Sequence, residues 1–245
     1  MSKNIILVDG HGKIALRLTR LLAPTHSVTS VIQDKEHEAE VKAAGGAPVH
    51  LILATASVSD LTKVFEGKDI VYLLAGCGHK GTEEENKVAY REVPIKVYDA
   101  IEAVTGAKPR LIHLSGVDVR DTTKPVPAHY GAADIKMSDQ LWKEWIPFYM
   151  KYKYEGDTNL NGRTAFKWTA LRAAGFADKE GTGKVSVGRT PIAAMISRDD
   201  VAKALVALLG REDANGLALD IIEGETPLDE ALDAAIKKGE TDFLG

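Results

Sequence analysis

The 245-residue sequence has a single cysteine, Cys77, so no disulfide can form within the chain. That suits a reducing compartment. Cys77 follows an apolar run and reads as a small buried side chain. No window approaches the ~18 apolar residues of a membrane span. The amino-terminal stretch Met1-Ser2-Lys3-Asn4-Ile5 lacks the apolar length of a signal peptide. The expected location is therefore cytoplasmic. No basic run is present either, and 31 Lys and Arg face 35 Asp and Glu, for a net charge of −4. This balance argues against nucleic acid or an anionic membrane as partner, since both select a basic patch. There is no internal repeat and no low-complexity linker. A chain of this length folds readily as one unit that buries about three quarters of its unfolded surface, with no structural metal. The expectation is one domain over residues 1–245, working as a monomer or homodimer on a small-molecule substrate.

Short apolar runs alternate with segments of helical period. Ile5–Val8, Val28–Ile32, Val49–Leu53, Ile70–Leu74, Leu111–Leu114, Trp168–Leu171 and Leu217–Ile222 read as strands. Between them, Ile14, Leu16, Leu18, Leu21 and Leu22 give one apolar helical face, closed by Pro24. Glu36–Ala44, Ser59–Phe65 and Asp199–Leu209 are further helices. A long helix is expected over Glu84–Val104, with Pro94 as a kink. Residues 118–128, with Pro125 and Pro127, read as a loop. Strand–helix alternation with near-continuous apolar strands predicts an α/β fold. The form expected is a Rossmann-type doubly wound parallel sheet, a single domain with a small C-terminal portion on the substrate side.

The most informative stretch is Asp9-Gly10-His11-Gly12-Lys13-Ile14-Ala15. It matches G-x-G-x-x-A, follows a strand at once and opens a helix, the context in which this pattern signals a dinucleotide. The first glycine permits the tight turn, the second lets the backbone approach a pyrophosphate, and Ala15 allows close helix–strand packing. The helix N-terminus offers unpaired N–H donors to phosphate. The end of the second strand should read the adenosine ribose. There, Ile32-Gln33-Asp34-Lys35 leaves two possibilities open. Asp34 would suit the ribose hydroxyl of NAD; Lys35 and Lys13 would suit the 2′-phosphate of NADP.

The chain resembles the atypical short-chain dehydrogenase/reductases, in the NAD(P)-binding branch with NmrA-like and biliverdin-reductase-B-like members. The likeness rests on Gly10–Leu16, Val58–Gly78, Ile95–Ala103, Leu111–Ser115, Tyr149–Asp157, Trp168–Gly175, Gly181–Gly188 and Ile196–Ala202. It implies that Leu74, Ala75 and Gly76 lie along the cofactor and that Ser115 sits beside the nicotinamide. Tyr149-Met150-Lys151-Tyr152-Lys153 fits the family's Y-x-x-x-K. Residues four apart share a helix face, so Lys153 can tune Tyr149 and bind ribose while Tyr149 acts as general acid or base. An aromatic helix face with Trp142, Trp145 and Phe148 is the alternative for this segment. Gln33 replaces the family's NADP-reading arginine, Ile52 stands near its acidic residue after the third strand, and Arg172-Ala173-Ala174-Gly175 replaces its Arg-Pro-Gly.

The resemblance implies an NAD(P)-dependent oxidoreductase acting on a small, fairly apolar carbonyl or hydroxyl compound by hydride transfer. Tyr149 would donate the proton, Lys153 would assist, and Ser115 would hydrogen-bond the reacting oxygen. NADP is the expected cofactor, with NAD possible. The alternatives are a non-catalytic redox sensor, a flavin or biliverdin reductase, and an epimerase working by transient oxidation. The histidines His11, His79, His113 and His129 have no metal-site spacing, so no metal is expected; His113 reads as a core histidine and His79 as part of a surface loop.

Overall fold

The computed structural model describes residues 1–74, 76 and 81–242. Ala75, one of the expected cofactor contacts, lies outside them, as do Cys77 and His79.

Ile5, Ile6, Leu7 and Val8 are all fully buried in strand β1 (Asn4–Val8). A strand with both faces buried must be covered on both sides, and the order of elements shows how. β1 leads to helix α1 (Lys13–Leu22), then β2 (Ser27–Ile32), α2 (Glu38–Ala43), β3 (Ala47–His50), α3 (Val58–Phe65) and β4 (Ile70–Leu73). Next come α4 (Glu83–Lys87), α5 (Val93–Ala103), β5 (Arg110–Gly116), α6 (Ala132–Gln140), α7 (Pro147–Asn161) and β6 (Trp168–Ala173). The chain closes with β7 (Gly175–Ala177), β8 (Lys184–Val187), β9 (Met195–Ser197), α8 (Arg198–Leu208), β10 (Ala218–Glu223), β11 (Thr226–Pro227) and α9 (Leu228–Lys238).

The main sheet runs β11-β8-β10-β6-β5-β4-β1-β2-β3. It is parallel from β3 to β10, and β8 and β11 add antiparallel strands at the other edge. The fold is thus the Rossmann-like α/β sheet expected from sequence. Ile14, Ala15, Leu18 and Leu22 of α1 bury one stripe with α8 on one face of the sheet. Helices α3, α5 and α7 cover the other. The strand order reverses between β1 and β4, the switch point beside which open α/β sheets hold ligands. Among the described residues, no helix is long and apolar enough to cross a membrane.

Several boundaries differ from expectation. The third strand covers Ala47–His50, not Val49–Leu53. The Lys96 ammonium takes the carbonyls of Leu53, Ala54 and Ala56 at 2.7, 2.9 and 3.1 Å, and so holds that stretch as a loop. The long helix expected over 84–104 is broken by a π-helical turn at Val88–Glu92. Pro94 explains the break: it has no N–H to bond the Tyr90 carbonyl four residues earlier, and a wider turn absorbs the gap. The Tyr90 carbonyl instead meets α7, where a Cβ on Gly156 would lie 2.4 Å from its oxygen.

Candidate cofactor and active site

The loop after β1 bends because Asp9 takes a left-handed conformation, φ 64°. Asp is among the few non-glycine residues that do so. Gly10 follows, packed on β2 so closely that a Cβ would lie 2.4 Å from that of Ser30. Gly12 is the opposite case: a Cβ there meets nothing within 4 Å, and the space before α1 is open. Helices α3, α4 and α8 begin with Ser57, Thr82 and Ser197 accepting backbone N–H groups, and each has acidic residues in its first turn. α1 has neither. Its first amides are left to an anion, which the helix dipole also favours. Ile14 turns its side chain into the core, so only its backbone faces this space.

Beside the loop lies a cavity of ≈ 350 Å³, lined in part by Asp9, Gln33, Leu53, Ala54 and Gly76. These residues come from or just after β1, β2, β3 and β4, on the carboxyl side of the switch point. The donor set fits a dinucleotide: open amides for phosphate, an apolar wall for a base, and Gln33 at the ribose corner. Burial pushes the Asp9 carboxyl above the usual range, against the Gly76 N–H and the charges of His11 and His37. The Leu74 amide is spent on the Val8 carbonyl at 3.2 Å, which fixes the strand end.

Of the two basic residues expected to flank a 2′-phosphate, Lys13 has another partner. Lys13 points its ammonium at Asp178 Oδ2, 2.8 Å away. Asp34 turns back to accept the Glu36 N–H at 3.1 Å, and Lys35 is exposed on the short 3-10 turn that follows. Sequence reasoning also missed a contact: the rings of His11 and His37 stack with centroids 3.3 Å apart and planes within 4°. Glu40 faces this pair, so three potential metal donors stand within 4.8 Å of one another. Nothing in the sequence spacing signalled this, because the turn that carries His37 folds back over the loop.

The second cluster sits at the end of β5. Tyr149, Lys153 and Asp157 follow at four-residue steps along α7 and all face that strand. The Tyr149 hydroxyl lies over Gly116, where a Cβ would stand 2.6 Å from it. Its ring meets that of Tyr90 edge-on at 4.7 Å, so the π turn places a second aromatic against the first. Burial, with the neighbouring Tyr90 and Asp157, pushes the Tyr149 hydroxyl well above its usual range, and Arg172 opposes this.

Lys153 is 2 % exposed and does not reach toward Tyr149. Its Nζ lies 2.9 Å from His113 Nε2 and donates to the Leu114 carbonyl at 3.0 Å. His113 Nε2 is also 3.1 Å from Asp157 Oδ1, and Ser115 donates to Asp157 Oδ2 at 2.5 Å. Burial alone would raise Asp157, but the Lys153 charge and the His113 and Ser115 hydrogen bonds hold it at about 2. Burial and the Lys153 charge together lower His113. His113 is therefore more than a core histidine: its Nε2 stands between the Lys153 ammonium and the Asp157 carboxylate. The structure brings Ser115, Tyr149 and Lys153 to the end of β5, with Lys153 on His113 and Leu114. It adds His113, Asp157 and Tyr90.

A family model described as NAD(P)H-binding matches residues 10–212, from the phosphate loop to beyond α8. The chain belongs to this NAD(P)H-binding family. A UPF0659 protein of Schizosaccharomyces pombe is 33% identical over 242 residues, which cover 97% of each chain. The uncharacterized sugar epimerase YhfK of Bacillus subtilis is 27% identical over 230 residues, 93% of this chain and 98% of that one. Among solved structures, the oxidoreductase ylbE from Lactococcus lactis superposes with a TM-score of 0.77 at 19% identity, covering 96% of this chain and 97% of that one. The family match begins at Gly10 and so takes in the loop whose open amides were described above.

Proposed function

We propose that the protein is an NAD(P)-dependent oxidoreductase that transfers a hydride between the nicotinamide and a small, fairly apolar carbonyl or hydroxyl compound, with Tyr149 supplying the proton. The observation that carries this reading is the Tyr149 hydroxyl over Gly116 at the end of β5. Along the sheet, Gln33, Asp9, Gly76 and Gly116 mark the ends of β2, β1, β4 and β5 in that order. Neighbouring strands lie ~4.8 Å apart, so the end of β5 is about 10 Å from the phosphate loop. A dinucleotide with its ribose at Gln33 and its pyrophosphate at Gly12 would then carry its nicotinamide toward Tyr149.

The bound nicotinamide supplies the hydride chemistry; the chain supplies placement and the proton. Burial keeps the proton on the Tyr149 hydroxyl at neutral pH and also makes it a weaker acid than a free tyrosine, so its case as donor rests on its position and not on its pKa. Ser115 has its one proton committed to Asp157, so in this reading it positions the strand end and does not donate to substrate. Lys153 holds the helix to the strand through His113 and Leu114, and its charge stabilises Asp157.

That same engagement of Lys153 favours one second reading. A flavin- or bilin-type reductase needs a dry pocket above the nicotinamide and can take its proton from water, with no tuned tyrosine. The two readings separate on Tyr149→Phe. For the first, turnover of NADPH with aldehydes or quinones should fall roughly 10²–10⁴-fold while cofactor affinity is kept. Unchanged turnover with a flavin acceptor would select the second. Tight NADPH binding with no turnover against any of these acceptors would leave a redox sensor.

A further inference from the structure

An ammonium group has three N–H donors, and Lys96 of α5 uses all three on the loop after β3, at the carbonyls of Leu53, Ala54 and Ala56. These partners lie 40–43 residues earlier in the chain, so one side chain ties two distant elements together. No donor is left over for a phosphate. Burial lowers the Lys96 ammonium from its ordinary range, and the Glu92 charge opposes this.

The two ends of the tie both face the cavity beside the phosphate loop. Leu53 and Ala54 line it from the loop, and Val88, Ala89 and Val93 line it from the π turn and the start of α5. Lys96 follows Val93 by three residues, so both leave α5 on the same face. Val93 meets the cavity, and Lys96 reaches across to the loop. We propose that Lys96 is a positioning residue for the cofactor: it sets the spacing between the 51–56 loop and α5, and so the width of an apolar slot that holds the adenine of the dinucleotide. This rests on the dinucleotide reading.

The chemistry of the slot suits a base. A purine is flat, with two faces that bind best against apolar surfaces. The slot offers aliphatic side chains from both elements. Among its described lining residues none comes from β5 or α7, where Tyr149 stands, so the base it suits is the one remote from the chemistry. The loop gives that base no acidic contact: Ile52, near the place of the family's acid, is 55% exposed. The acids that line the cavity, Glu84 and Glu85, belong to α4, and Glu85 is committed to Thr82 in the cap of that helix. What the loop supplies is the packing of Leu53 and Ala54. Packing depends on spacing, since a gap of about 0.5–1 Å forfeits roughly a quarter to a half of each contact.

The test divides the cofactor into its halves. The full chain and its Lys96→Met and Lys96→Gln variants are titrated calorimetrically with NADPH, NADH, AMP and reduced nicotinamide mononucleotide, which lacks the adenosine half. Lys96→Met keeps most of the stem and loses all three donors, so the loop has to be ordered on binding instead of before it. Its dissociation constants for AMP and for the better-bound dinucleotide should rise together, by about tenfold. That for the nicotinamide mononucleotide should stay as in the parent. Lys96→Gln can still donate two N–H bonds. It should show a smaller rise of the same pattern, and it carries the test if the Met variant does not fold. Parent-like affinities for AMP and dinucleotide in a folded variant overturn the role of Lys96 and leave the dinucleotide site standing. So does an equal loss for AMP and the nicotinamide mononucleotide, the result expected if Lys96 only braces the fold. A parent chain that binds neither dinucleotide overturns both.

Discussion

Lys153 and Asp157 are a buried ion pair in effect, set one helical turn apart on α7, and both stand at His113 Nε2, which accepts from the one or donates to the other. Pairs of this kind gain little over well-packed apolar residues, but removing one member strands the other. Asp157→Ala should therefore cost about 3–5 kcal/mol in urea unfolding at neutral pH, because it leaves the Lys153 ammonium buried without compensation. The pH dependence follows from the direction of the shift. Asp157 is held at about 2, below its ordinary range, so its contribution is complete above about pH 4 and is lost as pH falls through about 2. The stability gap between the parent and Asp157→Asn should be wide at pH ~5 and close toward pH ~2. A gap of the same size at both ends would show that packing, not charge, sets the cost.

The element that shapes the active end most is the π turn between α4 and α5. Pro94 withholds one N–H, the turn widens, and the Tyr90 carbonyl seats against Gly156 while the Tyr90 ring meets Tyr149. Gly156→Ala puts a Cβ 2.4 Å from that carbonyl oxygen, and backbone cannot rotate away as a side chain can. Overpacking of this kind costs about 1–3 kcal/mol. It should also displace Tyr90 from Tyr149, so turnover should drop more than NADPH affinity does; equal losses of both would mean the whole cleft had shifted. How much of this could be read from the sequence depends on how local each signal is. The phosphate loop was legible because strand, glycines and helix are contiguous. The Tyr149–Lys153 spacing was legible too, and Asp157 continues it one turn on, yet the partner His113 was not, since it reaches Lys153 from β5, a separate segment that only the fold brings near. The short strands β7, β8, β9 and β11 and the helix α9 went unread for the same reason. They hold two to four residues each in the strands, and their pairing comes from neighbours far along the chain. The 84–104 segment was read as one helix because a single π turn of five residues is too short to interrupt the apolar pattern of its flanks visibly.

At the scale of the molecule, the cavity draws its walls from the ends of β1 through β4 and from α4, the π turn and α5. A ligand there bridges elements that the apo chain joins mainly through the sheet, and it binds the folded state alone. NADPH at a hundred times its dissociation constant should then add about 2.7 kcal/mol to stability. For a chain of this size 1 kcal/mol moves Tm by about 2–4 °C, so the expected rise is roughly 5–10 °C in a thermal-shift measurement. Gly12→Val separates site from scaffold. Its new side chain enters space where a Cβ meets no protein atom, so the unliganded Tm should stay close to that of the parent. The same side chain would occupy the approach to the open amides of α1, so the rise with NADPH should vanish. Gly10 is the contrasting case, since a Cβ there collides with Ser30 and should lower Tm with or without cofactor. If Gly12→Val kept the full NADPH-induced rise, the pyrophosphate would have to lie elsewhere, and the functional reading built on this loop would fall with it.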